Sequence, residues 1–372
     1  MDLSSSMMSL GARQLGGMVG ETASSQAMGA ALRLLQESAR TARVALPGEA
    51  GLEWLELANK LEAFQCFQQA PALLELAPGQ DLPLEEQLQR ASGLGVYPSV
   101  WAREGLGYAH ARQAWKAGRP PQGLLVAERL PAHAIIPLHT GAALAFAARL
   151  LEAEPVSSTA VLEAWLALWE QNAHPCHRDL AVEGLGLVAR NLYPHRVQRT
   201  GELLGALAPG LDEPFWHGVG RGLYFAPTHA LPWSGAAGRA FDKAWREPPH
   251  EAGRRNATAG LAWALTLVNF RHPEILADVL SRHGSDIGSF EAFSQGVASA
   301  VLIWYDTVGQ DRHLTRFLAH RPAASNSRFA SLWRDVVLAP GETALQRTYP
   351  ALQRSGGLAA LFRWRPDGGL EP

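Results

Sequence analysis

The sequence predicts an all-α protein built from six related helical units, and three observations carry that prediction. First, a motif consisting of a glycine, a spacer and a small residue, followed by an apolar and aromatic run, opens six times. Its first glycines, Gly105, Gly141, Gly184, Gly218, Gly260 and Gly296, lie 36, 43, 34, 42 and 36 residues apart. Self-similarity at a period of about 20 to 50 residues marks stacked supersecondary units. Second, proline and glycine breakers punctuate the chain between the motifs, among them Pro120-Pro121, Pro131, Pro155, Pro175, Pro194, Pro209-Gly210, Pro227, Pro248-Pro249 and Pro322. Third, no run shows sustained strand alternation bounded by hairpin turns. If the six motif helices pack side by side with the intervening helices outside, the product is an α/α solenoid or a closed α/α toroid.

Taken in order, residues 1–20 read as a disordered leader, rich in Ser, Met and Gly and without the basic start and apolar core of a signal peptide. Residues 21–95 read as N-terminal helices packing on the first repeat. Within them Gln26 to Val44 has apolar residues at helical spacing and stops at Pro47-Gly48, and Leu52 to Leu76 continues with Trp54, Leu55, Leu61, Phe64 and Phe67. A short amphipathic stretch, Leu84 to Leu94, leads into the six-repeat domain at 96–340. There the motif helices alternate with amphipathic segments at Thr159 to Gln171, Val197 to Leu207, Ala236 to Trp245 and Pro273 to His283. Residues 341–372 form a C-terminal extension. A glycine inside a helix costs about 1 kcal/mol against alanine, so six motif helices that begin with one should gain close approach to a neighbour in return.

The bulk composition narrows the function classes. With 372 residues, 47% hydrophobic content and 12 Trp, the chain buries a sizeable core. A net charge of −2 and a pI near 6.7 supply no field toward nucleic acid or anionic lipid. Two cysteines, Cys66 and Cys176, make no disulfide framework, which fits a reducing cytoplasm. Uncharged apolar stretches such as Ala257 to Phe270 fall short of the ~20 residues that span a bilayer, so no membrane span is expected.

The six motifs in their order resemble the domain of unknown function 1702 family, found in enediyne polyketide biosynthetic gene clusters. Glu104-Gly105-Leu106-Gly107 matches the first family segment, and Gly141-Ala142-Ala143-Leu144-Ala145 is a weakened second. Glu183-Gly184-Leu185-Gly186-Leu187 resembles the third with Glu for Asp. His217-Gly218-Val219-Gly220-Arg221-Gly222-Leu223-Tyr224-Phe225 is the most specific match, with His for Gln and Tyr for Trp. Ala259-Gly260-Leu261-Ala262 and Ser294-Gln295-Gly296 complete the set, and the agreement covers about residues 50 to 335. The second and fifth motifs have lost a glycine, and Leu187 stands where the family has an aromatic, so the chain is similar to a divergent member. The resemblance implies a cytoplasmic bacterial protein of natural-product biosynthesis, and it brings neither a mechanism nor a cofactor.

The residues before the motif glycines are Glu104, Thr140, Glu183, His217, Ala259 and Gln295. With His139 and Arg221 they include the candidate ligand-binding set: Glu104, His139, Glu183, His217, Arg221 and Gln295. On inner helices they would line one concave face and hold a ligand; alternatively they cap helix N-termini. Arg221 shares a helix face with His217 and suits either bidentate grip of a carboxylate or phosphate, or a buried ion pair with Glu183 or Glu104. Those three should then form one connected network with His217. Glu183 and Arg190 stand two turns apart. Gly105, Gly107, Gly141, Gly184, Gly186, Gly218, Gly220, Gly260 and Gly296 are assigned to helix contacts, and Trp216, Trp263, Trp304 and Tyr305 to the core. Glu104, Glu183, His139 and His217 are ligand types of a non-haem iron site, but no Glu-x-x-His pair occurs among them. His174, Cys176 and His177 read as a surface cluster, since no second Cys/His pair stands at finger spacing, and no metal is assigned. Two functions are open: binding or conversion of a polyketide or polyene intermediate in a polar-rimmed interior, or a helical-repeat scaffold for a partner such as a synthase.

Overall fold

The periodic segments separated by these breakers fold into helices, and among the described residues no strand occurs. The computed structural model describes residues 22–46, 48–74, 76, 82–116, 120–126, 130–153, 156–226, 229, 235–322 and 327–366. The expected leader at 1–20 lies outside them. The N-terminal helices are α1 (Thr22–Ala45), α2 (Gly48–Gln68), α3 (Ala70–Leu73) and α4 (Leu84–Gly93). The motif helices are α5 (Val96–Lys116), α6 (Ala132–Ala153), α8 (Arg178–Leu192), α10 (Asp212–Phe225), α12 (Glu251–Val268) and α14 (Phe290–Val308). Between and after them run α7 (Thr159–Glu170), α9 (Val197–Leu207), α11 (Ala236–Arg246), α13 (Pro273–His283) and α15 (Arg312–Ala319). A helical stretch from Ser327 to Ser355, with two π-type turns, ends the chain's long elements, and a 3-10 turn, Leu358–Phe362, follows it.

The motif glycines lie in the middle of their helices rather than at their starts. Their return is contact with backbone. A methyl carbon at Gly107 would fall inside contact distance of the Leu138 carbonyl, and one at Gly141 would strike the Glu104 carbonyl. Gly186 and Gly218 meet the Phe215 and Glu183 carbonyls, Gly220 and Gly260 meet those of Ala257 and His217, and Gly296 meets that of Ala259. Gly105 sits in the same way against the Phe67 carbonyl and the Ala70 methyl. The contact at Gly184 is looser: its added carbon would lie 3.2 Å from the Ala143 methyl. Each motif helix therefore touches the next motif helix in the chain at van der Waals range of the main chain.

One feature differs from the regular pattern read in the sequence. Between α5 and α6 the described residues form turns and no outer helix, as Pro120, Pro121 and Pro131 dictate. The loop leads back to the start of α6, and α5 and α6 run side by side in the same direction, with Tyr108, Arg112, Trp115 and Lys116 beside Ala145, Arg149 and Glu152. Near the start of α5, Tyr97 donates to the Val268 carbonyl at the end of α12 (2.8 Å), and Arg103 Nη1 donates to the Thr307 carbonyl at the end of α14 (2.8 Å). The C-terminal segment meets the first halves of α10, α12 and α14. Arg363 Nε bonds Glu213 (2.6 Å), the Trp364 amide donates to Asn256 Oδ1 (2.8 Å), and the Arg365 amide donates to Gln295 Oε1 (3.1 Å). Among the described residues α6 alone is long and apolar enough to cross a membrane, and most of it is packed inside the fold.

Candidate functional site

Three of the motif helices deliver charged side chains to one buried point. Arg221 Nη2 of α10 bonds Glu104 Oε1 of α5 at 2.5 Å, and its Nη1 bonds Glu183 Oε2 of α8 at 3.3 Å. His217, one turn before Arg221, holds Nδ1 3.6 Å from Glu183 Oε1. All four lie far from water: Glu183 is 0% exposed, His217 1%, Arg221 2% and Glu104 6%. The four form the connected network expected of them, and their mid-helix positions exclude a capping role. Arg190, by contrast, turns away from Glu183 and bonds Glu247 Oε1 at 2.8 Å.

Aromatic faces complete the cluster. The Arg221 guanidinium lies 4.7 Å over the Trp263 ring, a cation–π contact, and Phe362 packs against both His217 and Trp263. Burial pushes the Glu104 carboxyl above the ordinary range in spite of Arg221 beside it. Burial also works against the charge on Arg221, but Glu104 and Glu183 together hold it above the ordinary guanidinium value. Two carboxylates against one guanidinium balance when the cluster takes up one further proton. Neither ring nitrogen of His217 makes a hydrogen bond, and the ring packs edge-on against Trp263 and Phe362.

The expected concave channel is filled. Beside Glu104 and Arg221 there remains a cavity of about 50 Å³, walled by residues such as Phe64, Phe67, Trp101, Leu144, Leu187 and Phe225. That volume admits a few water molecules, whereas small-molecule sites occupy about 300–1,000 Å³. Gln295 and His139 of the candidate set lie apart from the network. Gln295 accepts from the Arg365 amide, at the end of the fold where the C-terminal segment docks.

His139 belongs to a different cluster, one that sequence spacing concealed. Its Nδ1 donates to the Ile135 carbonyl at 2.7 Å, and its Nε2 is buried without a partner. The ring stacks on His177 with centroids 4.1 Å apart and meets Trp169 edge-on. His177 is itself buried, so the reading of His174, Cys176 and His177 as a surface cluster holds for the first two only. Burial lowers His139 to about 4, and burial together with His139 and His174 lowers His177 to about 3, so both rings are neutral at pH 7.

A larger groove lies outside the core, where α5 ends beside α6 and α7. About 480 Å³ is enclosed by residues including Trp115, Phe146, Leu150, Val161, Trp165 and Leu168, with Arg149 at its side. A second hollow of about 240 Å³ shares Trp115 and Arg149 and adds Tyr108, Arg112, Lys116 and Glu152. Nothing in the motif pattern pointed there, because the groove is made by side chains outside the repeated positions. No known family model matches the chain, and no curated protein or solved structure is significantly similar to it.

Proposed function

We propose that the chain is an accessory protein of bacterial natural-product biosynthesis, of the enediyne-polyketide kind, that binds an elongated polyketide or polyene intermediate. The observation that carries this reading is the outer groove: an apolar trough of suitable volume that runs past Arg149 into a hollow bordered by Arg112 and Lys116. Such a site suits a conjugated acyl chain with an anionic end. The interior cluster is then a structural key rather than the ligand's seat, because its cavity is too small. For the architecture we infer an α/α toroid. The ordered glycine contacts from α5 to α14 and the Arg103 bond to the end of α14 support it.

The test is titration with a fluorescent conjugated tetraene fatty acid, read by energy transfer from Trp115 and Trp165. Saturable one-to-one binding is expected, with at least a tenfold loss in Ala164→Trp, which fills the exposed edge of the groove. Absence of binding, or equal binding by the filled variant, would remove this reading. The scaffold alternative draws on α1 and the turn after it, where Leu34 (70%), Val44 (88%), Leu35 and Leu46 are exposed, a face on which a partner such as a synthase could pack.

A further inference from the structure

We propose that His174, Cys176 and His177, with His139 completing the set, form a zinc site at the junction of α6 and the start of α8. Cys176 Sγ stands 2.9 Å from His174 Nδ1 and 3.4 Å from His177 Nδ1, and one ligand atom of each of the three residues lies within 4.8 Å of the others. A tetrahedral zinc with ordinary Zn–S and Zn–N bonds separates its sulfur and nitrogen ligands by about 3.5 Å. The Cys176–His177 spacing already fits, and His174 needs to withdraw by only about half an ångström, which an exposed side chain on a turn can do.

The fourth ligand comes from another helix. With Nδ1 committed to the Ile135 carbonyl, His139 carries a free lone pair on Nε2, buried and without a partner, on a ring stacked against His177. A carbonyl-bonded Nδ1 is the usual support of an imidazole that ligates through Nε2. A buried acceptor left unpaired costs about 1 to 3 kcal/mol, and a metal would satisfy it once the ring turns out of its stack on His177 toward the three ligand atoms that already stand together. His177 is anchored as well, since its carbonyl accepts from Trp169 Nε1 at 3.2 Å. One thiolate and three imidazoles suit a borderline-soft ion without geometric preference, which selects zinc over magnesium or calcium. Binding replaces the Cys176 thiol proton, released to solvent, by a Zn–S bond.

The experiment adds Co²⁺ to metal-free full-length protein and then displaces it with Zn²⁺. Expected are visible bands of tetrahedral Co²⁺, a near-ultraviolet thiolate-to-cobalt charge-transfer band, and their loss on stoichiometric Zn²⁺. Cys176→Ser should abolish the charge-transfer band and weaken Zn²⁺ binding at least a hundredfold, and His174→Ala at least tenfold, with circular dichroism unchanged because both side chains are exposed. His139→Gln should lower the visible band intensity as the ion gains water ligands. Failure of the wild type to bind Co²⁺ or Zn²⁺, or equal binding by Cys176→Ser, would overturn the assignment; full band intensity in His139→Gln would overturn its fourth ligand.

Discussion

Replacing Arg221 by methionine tests whether the interior cluster holds the fold together. The substitution keeps the buried aliphatic volume but removes the guanidinium that bridges Glu104 (2.5 Å) and Glu183 (3.3 Å) and covers Trp263. Two carboxyl groups with almost no exposure are then left facing each other. Removing one partner from a buried pair costs about 3 to 5 kcal/mol. The structure also supplies a ceiling, because a stranded carboxyl escapes its charge by protonation, which costs about 4 kcal/mol at pH 7 for a group of ordinary affinity. A loss near 4 kcal/mol is expected. At about 2.1 cal/mol/K of unfolding entropy per residue, that lowers the Tm of this chain by about 5 °C, if it melts as one unit. The loss should shrink to about 1 to 2 kcal/mol at pH 5, where the same protonation is cheap. Differential scanning calorimetry of both proteins at the two pH values measures this, and the triple variant Glu104→Gln, Glu183→Gln, Arg221→Met should recover more than half of the loss. A Tm within a degree of wild type at pH 7, or a loss that does not change with pH, would refute the reasoning.

Two further outcomes follow from single positions. Gly218→Ala should destabilise by about 1 to 3 kcal/mol by driving a methyl group into the Glu183 carbonyl. Gly184→Ala, with its 3.2 Å contact, should cost less, and Gly93→Ala, with open space around it, should be neutral or gain up to ~1 kcal/mol; urea melts of the three rank them. Asp306 accepts from the Tyr349 hydroxyl at 2.9 Å, and burial raises it from 3.8 to about 6. The folded protein therefore binds the extra proton between those values, and the stability it contributes is full below pH 3.8 and lost as pH rises through 6. The difference is about 3 kcal/mol, so Asp306→Asn should stabilise by a comparable amount at pH 8 and by nothing below pH 4. A gain that is the same at both pH values would contradict it.

The helices were legible because breakers and apolar periodicity are local signals. The bounds read for the segment at Val197 to Leu207 match α9, and those read at Pro273 to His283 match α13. The meeting of Glu104, Glu183, His217 and Arg221 was also legible, since the first three each precede a motif glycine and Arg221 shares a helix face with His217. The lack of an outer helix between α5 and α6 among the described residues was not, because the 36-residue step from Gly105 to Gly141 equals the last step in the chain. Spacing counts residues and is blind to whether they form an outer helix or a loop; Pro120, Pro121 and Pro131 were the available signal. His139 was grouped with the inner ring because it precedes Thr140 and Gly141, yet one residue is 100° of helix, and that rotation sends it to His177. The outer groove depends on Trp115 and Trp165, which no repeat relates.

The helix crossings obey an arithmetic of methyl groups. Gly107, Gly141, Gly186, Gly218, Gly220 and Gly260 each meet main-chain carbonyls of the neighbouring helix, whereas Gly105, Gly184 and Gly296 also meet the methyl groups of Ala70, Ala143 and Ala262. Where the second and fifth motifs carry alanine at the place of a second glycine, that alanine faces a glycine of the next motif helix, Ala143 facing Gly184 and Ala262 facing Gly296. A lineage can therefore exchange which helix bears the methyl only by passing through the all-glycine state, since the reverse order jams two main chains apart. Sequences descended from a common ancestor of this chain should show the two columns of each crossing drifting in concert, with alanine never appearing in both.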